Sequence, residues 1–114
     1  MIENNQDNLR VHHILDAIAT IDRHLLGISR EDFLRNELLI NLVSMQIAII
    51  GEAIDNLSED FQRSHPHLPY RDAKDMRNYI IHEYFGISSD ILWKTVQNDL
   101  PNLKLVLSKI QQAD

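Results

Sequence analysis

The chain has 114 residues, enough for one domain that buries roughly two-thirds of its unfolded surface. At 44% hydrophobic and 25% charged it is composed like a globular protein, and with no cysteine it has no disulfide, thiolate or Cys-based zinc chemistry. A formal charge of −6 argues against a generic nucleic-acid coat, yet Arg63, Arg71, Lys74 and Arg77 share one fifteen-residue window, so a local basic patch survives the acidic total.

Helical periodicity dominates, and strand signals are nearly absent. Leu9, Ile14, Leu15, Ile18, Ile21 and Leu25 predict a first helix from about Asn8 to Leu26, stopped by Gly27. Ser29 then reads as an N-cap, with Asp32 three residues on, for a short turn of helix carrying Phe33. A long helix follows from Glu37 to about Leu57. Its apolar positions cover more than half the circumference, which predicts burial on two sides, one of them a candidate subunit interface. Ser58 caps a short helix before the Pro66–Pro69 loop. The next helix starts near Pro69 or Tyr70 and is expected to run through Tyr84 to a stop at Gly86. Ser88 or Ser89 caps a helix with Trp93 and Val96, and Asp99–Pro101 mark a kink or restart before Leu103–Ile110. The expectation is an all-α bundle of four to five main helices in a single domain, residues 1–114.

The start, MIENNQDNLR, is polar and acidic, unlike a signal or transit peptide. The longest apolar run, LLINLVSMQIAII, is interrupted by Asn41, Ser44 and Gln46, short of the roughly 18 residues of a membrane span. A cytoplasmic protein with no membrane partner is the expectation.

Chemistry concentrates in RNYIIHEY, residues 77–84. Arg77 offers a rigid fork of donors for phosphate, and His82 exchanges a proton near neutral pH without a metal. Asn78, one turn before His82, can orient the imidazole or touch a phosphate, while Lys74 and Arg71 can steer RNA or simply be solvated. On one straight helix Arg77 and His82 lie about 140° apart. Either the Arg side chain curls round, or the helix end distorts, or a second copy supplies the partner group. With RNA, such groups suit attack of the ribose 2′-hydroxyl on the adjacent phosphorus, leaving a 2′,3′-cyclic phosphate. On pattern alone a solvated helix face explains the same residues. Gly51 reads as a site of close helix packing, and Glu52 as either solvated or a buried polar partner of Arg77. His65-x-His67 and His12-His13 form no recognised metal pattern, so no metal and no cofactor are expected.

RNYIIHEY resembles the R-x4-H-x-Y motif of the HEPN superfamily, specifically the HepT-like toxins of HEPN–MNT toxin–antitoxin pairs. IIGEAIDNLSEDF (49–61), HPHLPYRDAKDMRN (65–78) and ILWKTVQNDLPNL (91–103) resemble further family segments in the same order, so the likeness spans about residues 8–112. The resemblance implies an up-and-down helical bundle that dimerises, with motif helices meeting at a composite cleft. It implies a metal-independent endoribonuclease of a type VII system, with transfer RNA among its targets and Arg77 and His82 as catalytic residues. It also implies a cognate nucleotidyltransferase antitoxin that attaches AMP to Tyr84. Two other readings stay open: a non-catalytic RNA- or nucleotide-binding subunit of a nucleotidyltransferase complex, and a purely structural helical dimer.

Overall fold

Helices start after Asn4, Ser29, Asn36, Ser58 and Ser88, each of whose side chains caps the first turn. The computed structural model describes residues 4–112, and its regular elements are all helical. Helix α1 (Asn5–Leu25) begins where the Asn4 side chain accepts the N–H groups of Gln6 and Asp7 at 2.7 and 3.3 Å. That cap starts the helix three residues before the apolar periodicity does. Gly27 ends it, with φ +78°, a left-handed conformation that side chains rarely adopt. Ser29 caps α2 (Arg30–Arg35) through the Asp32 N–H, as its spacing predicts. The single completely buried aromatic of that turn, Phe33, packs against Trp93 with ring centroids 5.4 Å apart.

Asn36 caps α3 (Glu37–Asp55), which packs between α1 on one side and α5 on the other. Val43, Ile47, Ile50 and Ile54 form its buried face and face the core contributed by Val11, Ile14, Ile18 and Ile21 of α1. By length and composition α3 could cross a membrane, contrary to the reading of its interrupted apolar run. Two-sided packing at the centre of a bundle accounts for that apolarity.

Ser58 caps α4 (Glu59–Ser64) and is itself gripped by α1: buried Asp7 accepts both the Ser58 N–H at 2.8 Å and its hydroxyl at 2.6 Å. The chain's first helical turn is thereby tied to residue 58. Helix α5 (Tyr70–His82) follows Pro69 as anticipated, but it stops earlier than the sequence suggests. Its last residue is His82, and Tyr84–Gly86 form a separate 3-10 turn. Two bonds draw the chain off the helix axis: Gly86 N–H donates to the Glu83 carbonyl at 2.8 Å, and Ser88 N–H donates to the Tyr79 hydroxyl at 2.9 Å. Ser88 is also the cap of α6 (Ser89–Lys94), so the turn must deliver it in an extended conformation.

The anticipated kink before Pro101 is a π-helical stretch, Thr95–Asp99, joining α6 to α7 (Leu100–Gln112). Its wide turn has a cause in the sequence. Proline has no N–H for a regular i→i−4 bond, and the π stretch places Pro101 in the first turn of a fresh helix instead, where none is needed. The long helices α1, α3, α5 and α7, with short α2, α4 and α6, make the all-α HEPN-type bundle that the residues predict. Around its core sit Leu92, Val96, Leu100, Leu103 and Leu107 from the C-terminal third.

Candidate functional site

Helices α3 and α5 approach each other very closely at Gly51. A Cβ there would meet the Ala73 carbonyl oxygen and the Arg77 Cβ, each at 2.7 Å. Glycine is therefore required by the contact, which is the packing role its mid-helix position suggests. The two helices run antiparallel, as successive pairs show: Glu52 meets Arg77 and Asp55 meets Lys74.

This contact decides where Arg77 points. Its Nη1 donates to Glu52 Oε2 at 2.6 Å, and Nη2 lies 4.0 Å from Asp55 Oδ2. The side chain is only 19% exposed, and its buried Nε has no hydrogen-bond partner. Asn56 orients the acceptor, donating to Glu52 Oε1 at 3.0 Å while holding the Glu52 carbonyl at 2.8 Å. These bonds, from Asn56 first and Arg77 second, hold the Glu52 carboxyl below its usual pKa. Glu52 is thus the partner of Arg77, and it is exposed rather than buried.

His82 has a different setting. It is exposed at the end of α5, and among the described residues its ring makes no hydrogen bond. A guanidinium turned toward α3 and an imidazole at the open helix end do not converge within one chain. Of the three geometries open to the sequence, the curled Arg77 is not the one observed. The helix end does distort, but beyond His82, so the distortion moves Tyr84 and not His82. Tyr84 accordingly leaves the helix that was expected to run through it. It stands on the 3-10 turn, 54% exposed, its ring edge-on to that of the fully exposed Phe85.

The supporting residues divide similarly. Asn78 is half-buried, and its side chain makes no hydrogen bond among the described residues. Exposed Lys74 lies 3.9 Å from Asp55, and Arg71 lies 3.9 Å from Asp75, both loose surface pairs of little energetic weight. Two carboxylates on α3 thus face two cations on α5. Asp55 and Asn56 were not anticipated as part of this site. Their signal was available: Glu52 and Asp55 at i, i+3 on one helix mirror Lys74 and Arg77 at i, i+3 on another.

A stripe of exposed apolar side chains leads to the same place. Leu38, Met45 and Ile49 are 82%, 61% and 39% exposed, and with half-buried Leu42 they line one face of α3 that continues to Glu52. On α5 and the turn beyond it, Ile81, Tyr84 and Phe85 add exposed apolar surface beside His82. Phe85 is not in the core of this chain. No group of three or more His, Asp or Glu side chains among the described residues could hold a metal ion. The rings of His65 and His67 lie 6.3 Å apart without a third ligand grouped with them.

With the geometry set, the relatives become informative. The profile of the family described as "Ribonuclease HepT-like" matches residues 14–110, a span that contains Glu52, Arg77, His82 and Tyr84. "Probable ribonuclease HepT" of Thermococcus cleftensis is 40% identical over 99 residues, covering 87% of this chain and 90% of its own. "Putative RNase TTE0752" of Caldanaerobacter subterraneus subsp. tengcongensis is 34% identical over 104 residues, covering 91% of this chain and 93% of its own. "Gamma-glutamylcyclotransferase and putative RNase MJ0434" of Methanocaldococcus jannaschii is 34% identical over 102 residues, which are 90% of this chain but 46% of that larger protein. No solved structure matches. An all-α bundle, an Arg-x4-His-x-Tyr segment on its exposed helix end and a full-length family match agree: the chain belongs to the HepT-like ribonuclease family.

Proposed function

We propose that this protein is a metal-independent endoribonuclease that acts as a homodimer, with Arg77 of one protomer and His82 of the partner subunit completing each site. One observation carries the reading: a family of ribonucleases matches residues 14–110, a span that includes Arg77 and His82. The geometry of a single chain, in which these two groups diverge, supports the dimer. The apolar stripe Leu38–Leu42–Met45–Ile49 supports it, being exposed apolar surface on the side of α3 that leads to Arg77.

In the reaction, neutral His82 takes the proton of a ribose 2′-hydroxyl, and that oxygen attacks the adjacent phosphorus. The 2′-O–P bond forms, the P–O5′ bond breaks, and the leaving 5′-oxygen takes a proton from an imidazolium. The His82 that takes the 2′-proton becomes the imidazolium that returns a proton to the leaving oxygen. Arg77 holds the non-bridging oxygens and balances the charge that grows on them. A phosphate entering this site competes with Glu52 for the guanidinium, while Nη2, 4.0 Å from Asp55 Oδ2, remains to receive it. Products end in a 2′,3′-cyclic phosphate and a 5′-hydroxyl, and DNA, lacking the nucleophile, is spared. Transfer RNA is the proposed target class, with Lys74 and Arg71 guiding its backbone and Asn78 orienting the scissile phosphate.

The exposed Tyr84 hydroxyl is the proposed point of control by a cognate nucleotidyltransferase antitoxin in the cytoplasm. Its oxygen attacks the α-phosphorus of ATP, pyrophosphate leaves, and the attached AMP places bulk and negative charge at the cleft. A second reading, that of a non-catalytic RNA- or nucleotide-binding subunit, is favoured by the Glu52–Arg77 pair, which already occupies the phosphate-holding fork.

The deciding experiment is cleavage of total RNA and of transfer RNA by purified protein in EDTA, beside His82→Ala, with intact masses recorded. Cleavage by wild type alone, with cyclic phosphate ends, is expected. No cleavage by protein of unmodified mass would overturn the catalytic reading in favour of the binding subunit.

A further inference from the structure

Helix α5 divides its chemistry between two faces. Arg71, Lys74, Asn78 and His82 follow one another at i, i+3, i+7 and i+11 along one side. Asp72, Asp75, Met76 and Tyr79 occupy another and line an open groove of about 540 Å³. The opposite wall comes from the π stretch and α7, with Asp99, Leu103 and Val106, and α3 lays Ile47, Ile50 and Ile54 along the floor.

This groove exists because α5 packs on α3, whereas α6 and α7 pack on α1, α2 and α3 and through the π stretch on each other. The two groups of helices stand apart over the middle of α3. Its interior is apolar, and its rim carries carboxylates on both walls. No Lys or Arg is among its lining residues, and among the described residues neither Asp72 nor Asp99 has a basic side chain within 4.0 Å. Asp75 has only Arg71, at 3.9 Å and highly exposed.

We propose that this groove is a docking site for a basic amphipathic helix of a partner protein. Apolar side chains at i, i+3 or i+4 and i+7 of such a helix enter between the walls, and its flanking Lys or Arg residues meet Asp72 and Asp75 on one side and Asp99 on the other. Charge selects this occupant over two others. RNA would bring phosphates against three carboxylates. A second copy of this chain would bring its exposed α3 stripe, which is flanked by Glu37 and Glu52 and would set like charges together. Since the groove lies on a different face of α5 from Lys74 and His82, its occupation leaves the proposed RNA face open. The inference is independent of whether the protein cleaves RNA.

The test uses the intact chain and two fluorescent synthetic helices of equal length, each with leucines at i, i+3 or i+4 and i+7. One carries flanking lysines and the other flanking glutamates. The lysine peptide is expected to bind saturably, at least tenfold tighter than the glutamate peptide, and to weaken as salt rises. The triple variant Asp72→Lys, Asp75→Lys, Asp99→Lys is expected to reverse that preference, which also controls for folding, since all three side chains are exposed. Absence of saturable binding, equal binding of the two peptides, or lysine-peptide binding indifferent to the triple variant would overturn the proposal. So would light scattering that finds a wild-type dimer turned monomeric by the triple variant, because that assigns the groove to a second copy.

Discussion

Arg77 illustrates how one residue can matter greatly to chemistry and modestly to stability. Its partner Glu52 is exposed, and solvent screens such pairs so that they add little to stability. Arg77→Lys retains charge and stem but loses the fork. Single-turnover cleavage should therefore fall more than about tenfold while chemical denaturation shifts by less than about 1 kcal/mol. Denaturation in acid reads the same pair from the carboxylate side. The folded Glu52 carboxyl titrates below its ordinary value of 4.5, so its contribution is complete above that pH and is lost as pH falls through the lower folded value. Glu52→Gln should flatten that part of the acid limb. Tyr70 works in the opposite direction. Burial first, and the Asp7 charge second, push its phenol up to about 12. Its stabilising contribution is complete below about pH 10, the unfolded value, and is lost as pH rises through 12. In Tyr70→Phe the alkaline limb between those values should disappear. The variant should also lose about 1 kcal/mol at neutral pH, because the hydroxyl no longer donates to the His65 carbonyl at 2.6 Å.

At the scale of elements, the α3–α5 contact is where packing and site meet. Alanine favours a helix interior over glycine by about 1 kcal/mol, so a surface Gly→Ala would stabilise. Gly51→Ala should do the reverse, because its Cβ would strike the backbone oxygen of Ala73, which cannot rotate away. We expect a net loss of about 1–2 kcal/mol in thermal or chemical denaturation, and a fall in cleavage as Arg77 is displaced. Much of this architecture was legible beforehand. Ser29 and Ser58, and Ser88 of the pair Ser88 or Ser89, marked three helix starts because a capping side chain acts on its own next turn, a purely local event. The end of α5 was misjudged because it depends on Ser88 N–H reaching back to the Tyr79 hydroxyl, a bond across nine positions that periodicity does not register.

For the whole molecule, the proposed dimer makes two quantitative demands. Met45→Asp with Ile49→Asp should turn a dimer into a monomer by light scattering and abolish cleavage, with the fold retained because both side chains are exposed. Mixing Arg77→Ala and His82→Ala protomers after unfolding and reassembly should restore about a quarter of wild-type cleavage. Half of the random dimers are then mixed, and each has one complete site of two. A mixture no more active than its parents would show that Arg77 and His82 do not join across the interface.

Local physics was enough to read the helical class, the serine caps and the packing role of Gly51, and to single out Arg77 and His82, whose roles came from the family resemblance and not from residue types alone. Spacing, side-chain chemistry and 3.6-residue periodicity act within a few turns and leave their mark in the order of residues. Only the tertiary structure decided which way Arg77 faces, that Asp55 and Asn56 join Glu52 around it, that Tyr84 leaves the helix, and that a groove opens between α5 and α7. Each of these depends on two helices distant in sequence meeting at a particular rotation, and a single chain's pattern does not encode that angle until its side chains have packed.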